Sequence, residues 1–142
     1  MKIKELATYL LFYLAFIMVS CSSDRMSRED FMGTWVIVNA SAKIGNSPKV
    51  EPKRSELGKI TFEEGKVISE GHYGIISSGK LGYLSESPIW AGWEFNEKTM
   101  QIKINGFLWT LTKVYNTIEF FAVEEDYGNG FEEYHFDLSR EE

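Results

Sequence analysis

Cys21 is the only cysteine in the 142-residue chain, and it directly follows a long uncharged segment. Two lysines, Lys2 and Lys4, lie at the start of the chain, and residues 6–20 carry no charge. Val19 and Ser20 stand immediately before the thiol. Because a single cysteine cannot form a disulfide within its own chain, this thiol is either modified or free.

The order of a basic start, an apolar run and small residues predicts a secretory signal peptide over residues 1–20. With Cys21 directly after it, the segment resembles the signal of bacterial lipoproteins, in which the cysteine is lipidated and becomes the mature N-terminus. Met18 departs from that motif, which prefers leucine there. A transmembrane helix is the first alternative, but it needs roughly 20 apolar residues and this run turns polar at Ser20. An ordinary secretory signal, with Cys21 as a free thiol, is the second.

The other residues able to do chemistry are few and scattered. His72 and His135 are the two histidines, and neither lies in the paired spacing of a zinc site. Serines are plentiful, but none lies in a Gly-x-Ser-x-Gly elbow. The acidic, glycine-rich segment from Asp126 to Glu133 departs from EF-hand spacing and is interpreted as a hairpin loop with solvated acids, with a calcium site as the alternative. The sequence therefore predicts no catalytic residue, no metal site, no cofactor and no enzyme activity.

The charge of the chain limits its partners. The net charge is −6, and nine acidic residues but only one base, Arg140, lie between Asn116 and Glu142. An acidic protein is poorly suited to bind nucleic acid or anionic membrane surfaces. We interpret the acidic end as the solvated rim of the last strands, with a surface for a cation or a basic partner as the alternative.

The elements that position these residues are strands. Residues 21–30 are polar and predict a tether after the lipidated cysteine, in which Ser27 and Asp30 cap one helical turn. From residue 31 to residue 142, short runs of β-type residues alternate with glycine, asparagine and serine clusters, and no window keeps a helical period. The pattern predicts one all-β domain of about eight strands. They are Thr34–Ala42, Lys59–Glu63, Val67–His72, Trp93–Asn96, Met100–Ile104, Phe107–Tyr115, Ile118–Val123 and Phe131–Leu138, with Tyr73–Ser77 and Leu81–Leu84 as less regular candidates.

Tight turns join the predicted strands in up-and-down order. Glu64-Gly65 and Asn105-Gly106 supply the glycine that such turns require at positive φ. An antiparallel meander leaves two exposed edges unless it closes. We therefore predict a small closed barrel, with a flat sandwich as the alternative.

The opening of the domain carries a family likeness. Gly33-x-Trp35, after a short helical turn and before a meander of this length, resembles the lipocalin and wider calycin barrels. The short size, the signal and the ending from Tyr134 to Arg140 are most similar to the small lipocalin-like lipoproteins of Bacteroidetes. The resemblance implies that Trp35 packs across the closed end of the barrel beside an arginine from after the last strand, a position that Arg140 matches. The chain departs from typical lipocalins in that no C-terminal helix and no middle signature motif are recognisable. A smaller barrel would have a smaller cavity than theirs, or a filled one.

A barrel of this kind has an interior lined by apolar side chains. The candidate lining residues, which would equally describe an ordinary core, are Trp93, Phe95, Met100, Ile102 and Trp109. Trp90 lies in a predicted loop, where it would be a lid over the barrel end or a mouth residue touching a ligand or partner. An apolar cavity suits a lipid, a haem-like ring or a hydrophobic metabolite.

Two functions follow from these features. The first is a lipid-anchored, non-catalytic protein of the cell envelope, on the outer membrane and facing the periplasm or the cell surface, that binds a small hydrophobic ligand. The second is a protein-interaction module, an inhibitor or accessory subunit of an envelope complex, with a filled barrel. An open cavity of roughly 300 Å³ or more would favour the first, and a packed interior the second.

Overall fold

The computed structural model of the protein describes residues 4–5, 7–8, 25–126, 128 and 130–141. From residue 25 onward the described chain is antiparallel β-structure with one short helix, α1 (Arg28–Phe31), and a 3₁₀ turn at Arg54–Glu56. The predicted all-β class is confirmed. Cys21 and most of the predicted signal lie outside the described residues; residues 4–5 and 7–8 are helical. No helix in the described ranges is long and apolar enough to cross a membrane.

Eleven strands are present in this part of the chain. They are β1 (Gly33–Ile44), β2 (Lys59–Glu63), β3 (Lys66–Glu70), β4 (Tyr73–Ile75), β5 (Leu81–Tyr83), β6 (Ile89–Ala91), β7 (Trp93–Asn96), β8 (Gln101–Ile104), β9 (Phe107–Val114), β10 (Thr117–Asp126) and β11 (Gly130–Arg140).

Nine of these strands form one sheet, in the order β6-β3-β2-β1-β11-β10-β9-β8-β7. The first strand pairs with the last, with Trp35 opposite Arg140. The two edge strands, β6 and β7, are separated along the chain by Gly92 alone. The sheet therefore curls until its edges meet, giving a nearly closed barrel. The indole Nε1–H of Trp93 spans the remaining seam by donating to the carbonyl of Glu63, at 2.8 Å.

A β-bulge in β1 sets which side chains face the interior. The register against β11 shifts between Ile37 and Asn39, so Val38 is an extra residue. Ile37 is buried before the bulge and Ala40 is buried after it. Side chains alternate between the two faces of a strand, so the extra residue changes which positions point inward. Asn39 therefore points outward, beside Asp137.

Separate elements cover the two ends of the barrel. At one end, Phe31 of α1 is fully buried and packs edge-on against Phe95, with ring centroids 4.6 Å apart. The β4–β5 hairpin covers the other end, and the Gly79 carbonyl at its tip accepts the indole N–H of Trp109 at 2.9 Å. A side chain at Gly79 would meet the Ile104 carbonyl, so only glycine fits there. The hairpin is thus locked against the barrel wall.

Several predicted boundaries differ from the structure. The predicted strand Val67–His72 ends at Glu70. The predicted strand Met100–Ile104 begins one residue later, after Met100, and the predicted strand Phe107–Tyr115 ends one residue earlier, before Tyr115. Met100 and Tyr115 both have positive φ. The chain reverses at those two positions, which an extended strand cannot do. Trp90 was predicted in a loop, but it lies on edge strand β6 opposite Ile68 of β3.

Candidate functional site

The predicted barrel-end pair is brought together by the pairing of the first and last strands. The Arg140 guanidinium carbon lies 3.9 Å from the centroid of the Trp35 ring. The same guanidinium donates hydrogen bonds to the carbonyls of Met32, at 2.6 Å, and Asp30. The Trp35 indole N–H donates to the Phe31 carbonyl at 2.7 Å. Arg140 is itself the last residue of β11, and its donors hold the segment that leads from the tether into the barrel.

A shallow cleft of about 350 Å³ opens beside this pair. Its wall includes Met26, Asp30 and Lys113, together with Tyr115 from the β9–β10 turn. Tyr115 is 92 % exposed, more than any other large apolar or aromatic side chain in the described part of the chain. The cleft lies on the surface at the end of the barrel that α1 covers, and its lining combines charged and apolar groups.

The six candidate cavity residues fall into three environments. Trp93, Ile102 and Trp109 are buried in the core, and Phe95 and Met100 pack against its margin. Trp90 lies outside the barrel with 64 % of its surface exposed, and the Lys66 ammonium is 4.5 Å from its ring centroid. The structure therefore brings five of the six to one hydrophobic cluster and leaves Trp90 on the outer face of an edge strand.

The centre of the barrel is packed by its own aromatic side chains. The rings of Trp109 and Phe136 lie 4.9 Å apart and nearly perpendicular, and Phe120 stacks on Phe136 at 4.4 Å. These three residues, with Ile102 and Ile104, have no accessible surface. A side chain without accessible surface touches neither bulk water nor an internal void large enough for a water molecule. The space around these side chains is therefore filled.

A charged cluster joins the β4–β5 hairpin to the barrel rim. The Lys80 ammonium lies 2.6 Å from the Glu124 carboxylate and 2.9 Å from that of Glu132. These two carboxylates raise the pKa of Lys80 above its ordinary value. The Lys80 ammonium, followed by the Tyr134 hydroxyl, lowers the pKa of Glu132. The Tyr134 hydroxyl donates to Glu132 at 2.8 Å, and burial, followed by that bond, raises the pKa of Tyr134.

Four apolar side chains are exposed together on the outer face of β9, β10 and β11. This apolar patch consists of Leu108, Phe121, Val123 and Phe131, each between 41 % and 60 % exposed. Phe121 pairs with Thr110, two residues from Leu108, and Val123 pairs with Glu133, two residues from Phe131. Residues two apart on a strand share a face, so the four form neighbouring positions on one surface.

The two histidines differ in their surroundings. His72 is exposed between β3 and β4. His135 is half-buried on the outer face of β11, and its Nε2 lies 3.2 Å from Oδ1 of Asp137. Glu119 of β10 stands directly opposite Asp137, so the three side chains converge. Part of this cluster could be predicted from the sequence, because the His-x-Asp spacing places His135 and Asp137 on one face of a strand. The strand pairing that brings Glu119 beside them leaves no sequence motif.

Comparison of the chain with protein-family models, with curated proteins and with solved structures found no match. The function is therefore inferred from the geometry and chemistry of the residues themselves.

Proposed function

We propose that the protein is a lipid-anchored, non-catalytic component of the cell envelope that acts by contacting another envelope protein. The observation that carries this proposal is the packing of the barrel centre by Trp109, Phe120 and Phe136, none of which has accessible surface. A binding barrel needs an interior space of roughly 300 Å³ or more for a small molecule. A filled barrel leaves the exterior as the surface through which it acts.

The apolar patch is the exterior feature that best fits protein contact. Aromatic side chains such as Phe121 and Phe131 are enriched at interfaces, where they bury a large area at low entropic cost. Glu125 and Glu133 flank the patch on β10 and β11, which supplies a polar rim. An apolar centre with an acidic rim favours a partner surface that is apolar with basic residues around it.

The anchor follows from the sequence. An acylated Cys21 would hold the barrel near the bilayer through the short segment that precedes α1, because each buried methylene adds about 0.8 kcal/mol of membrane affinity. Confinement to a membrane surface raises the effective concentration of any partner held there. A modest patch can then support a functional contact. The resemblance of Gly33-x-Trp35 to the lipocalin-like lipoproteins is in keeping with such an anchored barrel.

Small-ligand binding is the competing proposal, and the two make different predictions. Native mass spectrometry of the mature protein purified from membranes, released from detergent, should show the polypeptide with its acyl chains and nothing else. A small apolar molecule that co-purifies in repeated preparations would contradict the interaction proposal.

Site-specific photo-crosslinking in cells tests the contact itself. A crosslinking residue at position 121 or 123 should capture the same envelope protein, and one at Glu70 of β3 should not. Leu108→Asp, at the other side of the patch, should abolish that capture while leaving the melting temperature within a few degrees of wild type. Equal capture from positions 121 and 70, or capture that survives Leu108→Asp, would rule out the patch as the docking surface.

A further inference from the structure

We infer that Glu119, His135 and Asp137 form a binding site for a divalent transition metal on the outer face of the barrel. One potential ligand atom from each side chain lies within 4.8 Å of the other two. Two carboxylates and one imidazole are the mixed O and N donors that zinc accepts. The site is independent of the proposed function, because it needs neither the anchor nor a protein partner.

The strand register builds this site. His135 and Asp137 are two residues apart on β11 and therefore share its outer face. Glu119 is the direct partner of Asp137 on β10. Directly opposed side chains on paired strands lie about 4.5–5.5 Å apart at Cβ, within reach of one shared ion. The backbone thus holds three ligands from two hydrogen-bonded strands, without a flexible loop.

Asp137 carries the second observation. Its Oδ1 atom is buried and makes no hydrogen bond, although Nε2 of His135 is only 3.2 Å away. A buried carboxylate oxygen without a hydrogen bond is costly, and a bound cation is one way to satisfy it. Two ligands bound tetrahedrally to zinc at about 2.1 Å are roughly 3.4 Å apart, close to the observed separation.

The remaining surroundings suit an ion with open coordination positions. The other Asp137 oxygen, Oδ2, accepts a hydrogen bond from the Asn39 amide at 3.4 Å. Bonds of this kind to a ligating carboxylate orient it for the metal. All three ligand residues keep some exposed surface, so water can complete the coordination shell. Glu119 and Asp137, when ionised, balance the charge of a divalent cation.

Zinc titration of the full-length protein in detergent tests the inference. The protein is first stripped with a chelator, and Zn²⁺ alone is added while binding is followed by calorimetry. We expect one Zn²⁺ per chain, and His135→Gln should weaken binding by about tenfold or more. His72→Gln is the matched control and should bind as wild type does, and so should Cys21→Ser, which removes the thiol. Circular dichroism checks that each variant is folded.

A second variant keeps the test decisive if His135→Gln does not fold. Glu119→Gln retains the imidazole and the size of the side chain, and it should also weaken binding by about tenfold. Zn²⁺ should raise the melting temperature of wild type and of His72→Gln by similar amounts and that of Glu119→Gln by less, because stabilisation by a ligand falls as its affinity falls. The inference is overturned if wild type binds no Zn²⁺ at millimolar concentration, if Glu119→Gln binds as wild type does, or if His72→Gln or Cys21→Ser loses the ion.

Discussion

The guanidinium of Arg140 lies 3.9 Å from the centroid of the Trp35 ring, and the two residues are paired on the last and first strands of the barrel. One side chain therefore joins the two chain ends of the domain. It also holds the carbonyls of Asp30 and Met32, which lead in from the tether. Closure of the barrel and docking of α1 depend on the same residue.

We expect Arg140→Ala to lower the free energy of unfolding by about 1–3 kcal/mol, since it removes a cation–π contact and two charge-assisted hydrogen bonds. Arg140→Lys should recover only part of this loss, because an ammonium lacks the planar, forked set of donors. Urea denaturation measures both. Arg54→Ala, in the exposed 3₁₀ turn, is the matched control. An Arg140→Ala variant as stable as that control would show that the pair does not hold the barrel closed.

Gly58 directly precedes β2 and packs against the end of β3. A Cβ at this position would lie 1.8 Å from the Glu70 carbonyl oxygen, whereas a Cβ at Gly92 would meet no atom within 4 Å. We expect Gly58→Ala to cost about 2 kcal/mol or more, because neighbouring backbone cannot yield. Gly92→Ala should not destabilise the protein. Thermal unfolding compares them, and similar melting temperatures for the two variants would contradict the close approach.

Glu132 should make stability depend on pH. Its pKa is lowered in the folded protein by Lys80 and Tyr134. A carboxyl with a lowered pKa stabilises the fold above its unfolded pKa, about 4.3, and this contribution is lost as the pH falls through the folded value. Glu132→Gln should therefore reduce the melting temperature at neutral pH, with a difference from wild type that shrinks in acid. Glu133→Gln, exposed on the other face of β11, is the control. A deficit for Glu132→Gln that stays constant down to acid pH would exclude this role.

Cys21→Ser tests the proposed anchor. Without the thiol, acylation cannot occur, and the protein should leave the membrane fraction or accumulate with its signal uncleaved. Fractionation and intact-mass measurement distinguish these results. Ser22→Ala, beside the cysteine, should fractionate as wild type does. A Cys21→Ser protein that stays with membranes and is processed normally would refute lipid anchoring.

The local elements were predictable where the pattern was regular. The predicted strand Lys59–Glu63 agrees with the structure at both ends, and Asn105-Gly106 forms the turn between β8 and β9 with both residues at positive φ. Alternating burial and turn chemistry are local properties, so one sequence is enough to read them. Strand β6 was missed because Ile89–Ala91 is three residues long and its pairing with β3 comes from a distant part of the chain.

The candidate site was only partly predictable. The family likeness predicts that Trp35 packs beside Arg140, and the structure brings these two residues together. The interior residues Trp93 and Trp109 were recognised as inward-facing, but their sequence was compatible with either a cavity or a core. Packing decides between these, and the contacts of Trp109 with Phe136 and with the Gly79 carbonyl fill the space.

The sequence by itself determined the all-β class, the tight turns, and the lone thiol after an apolar segment, because each of these depends on neighbouring residues. Tertiary structure alone decided that the barrel centre is filled, that the β4–β5 hairpin covers one end, and that Glu119 stands beside His135 and Asp137. These three features depend on which distant strands pair and in which register. The bulge at Val38 exchanges the inner and outer faces of β1, as a register slip of one residue would in any strand. No local sequence pattern indicates which side chains face the interior after such a shift.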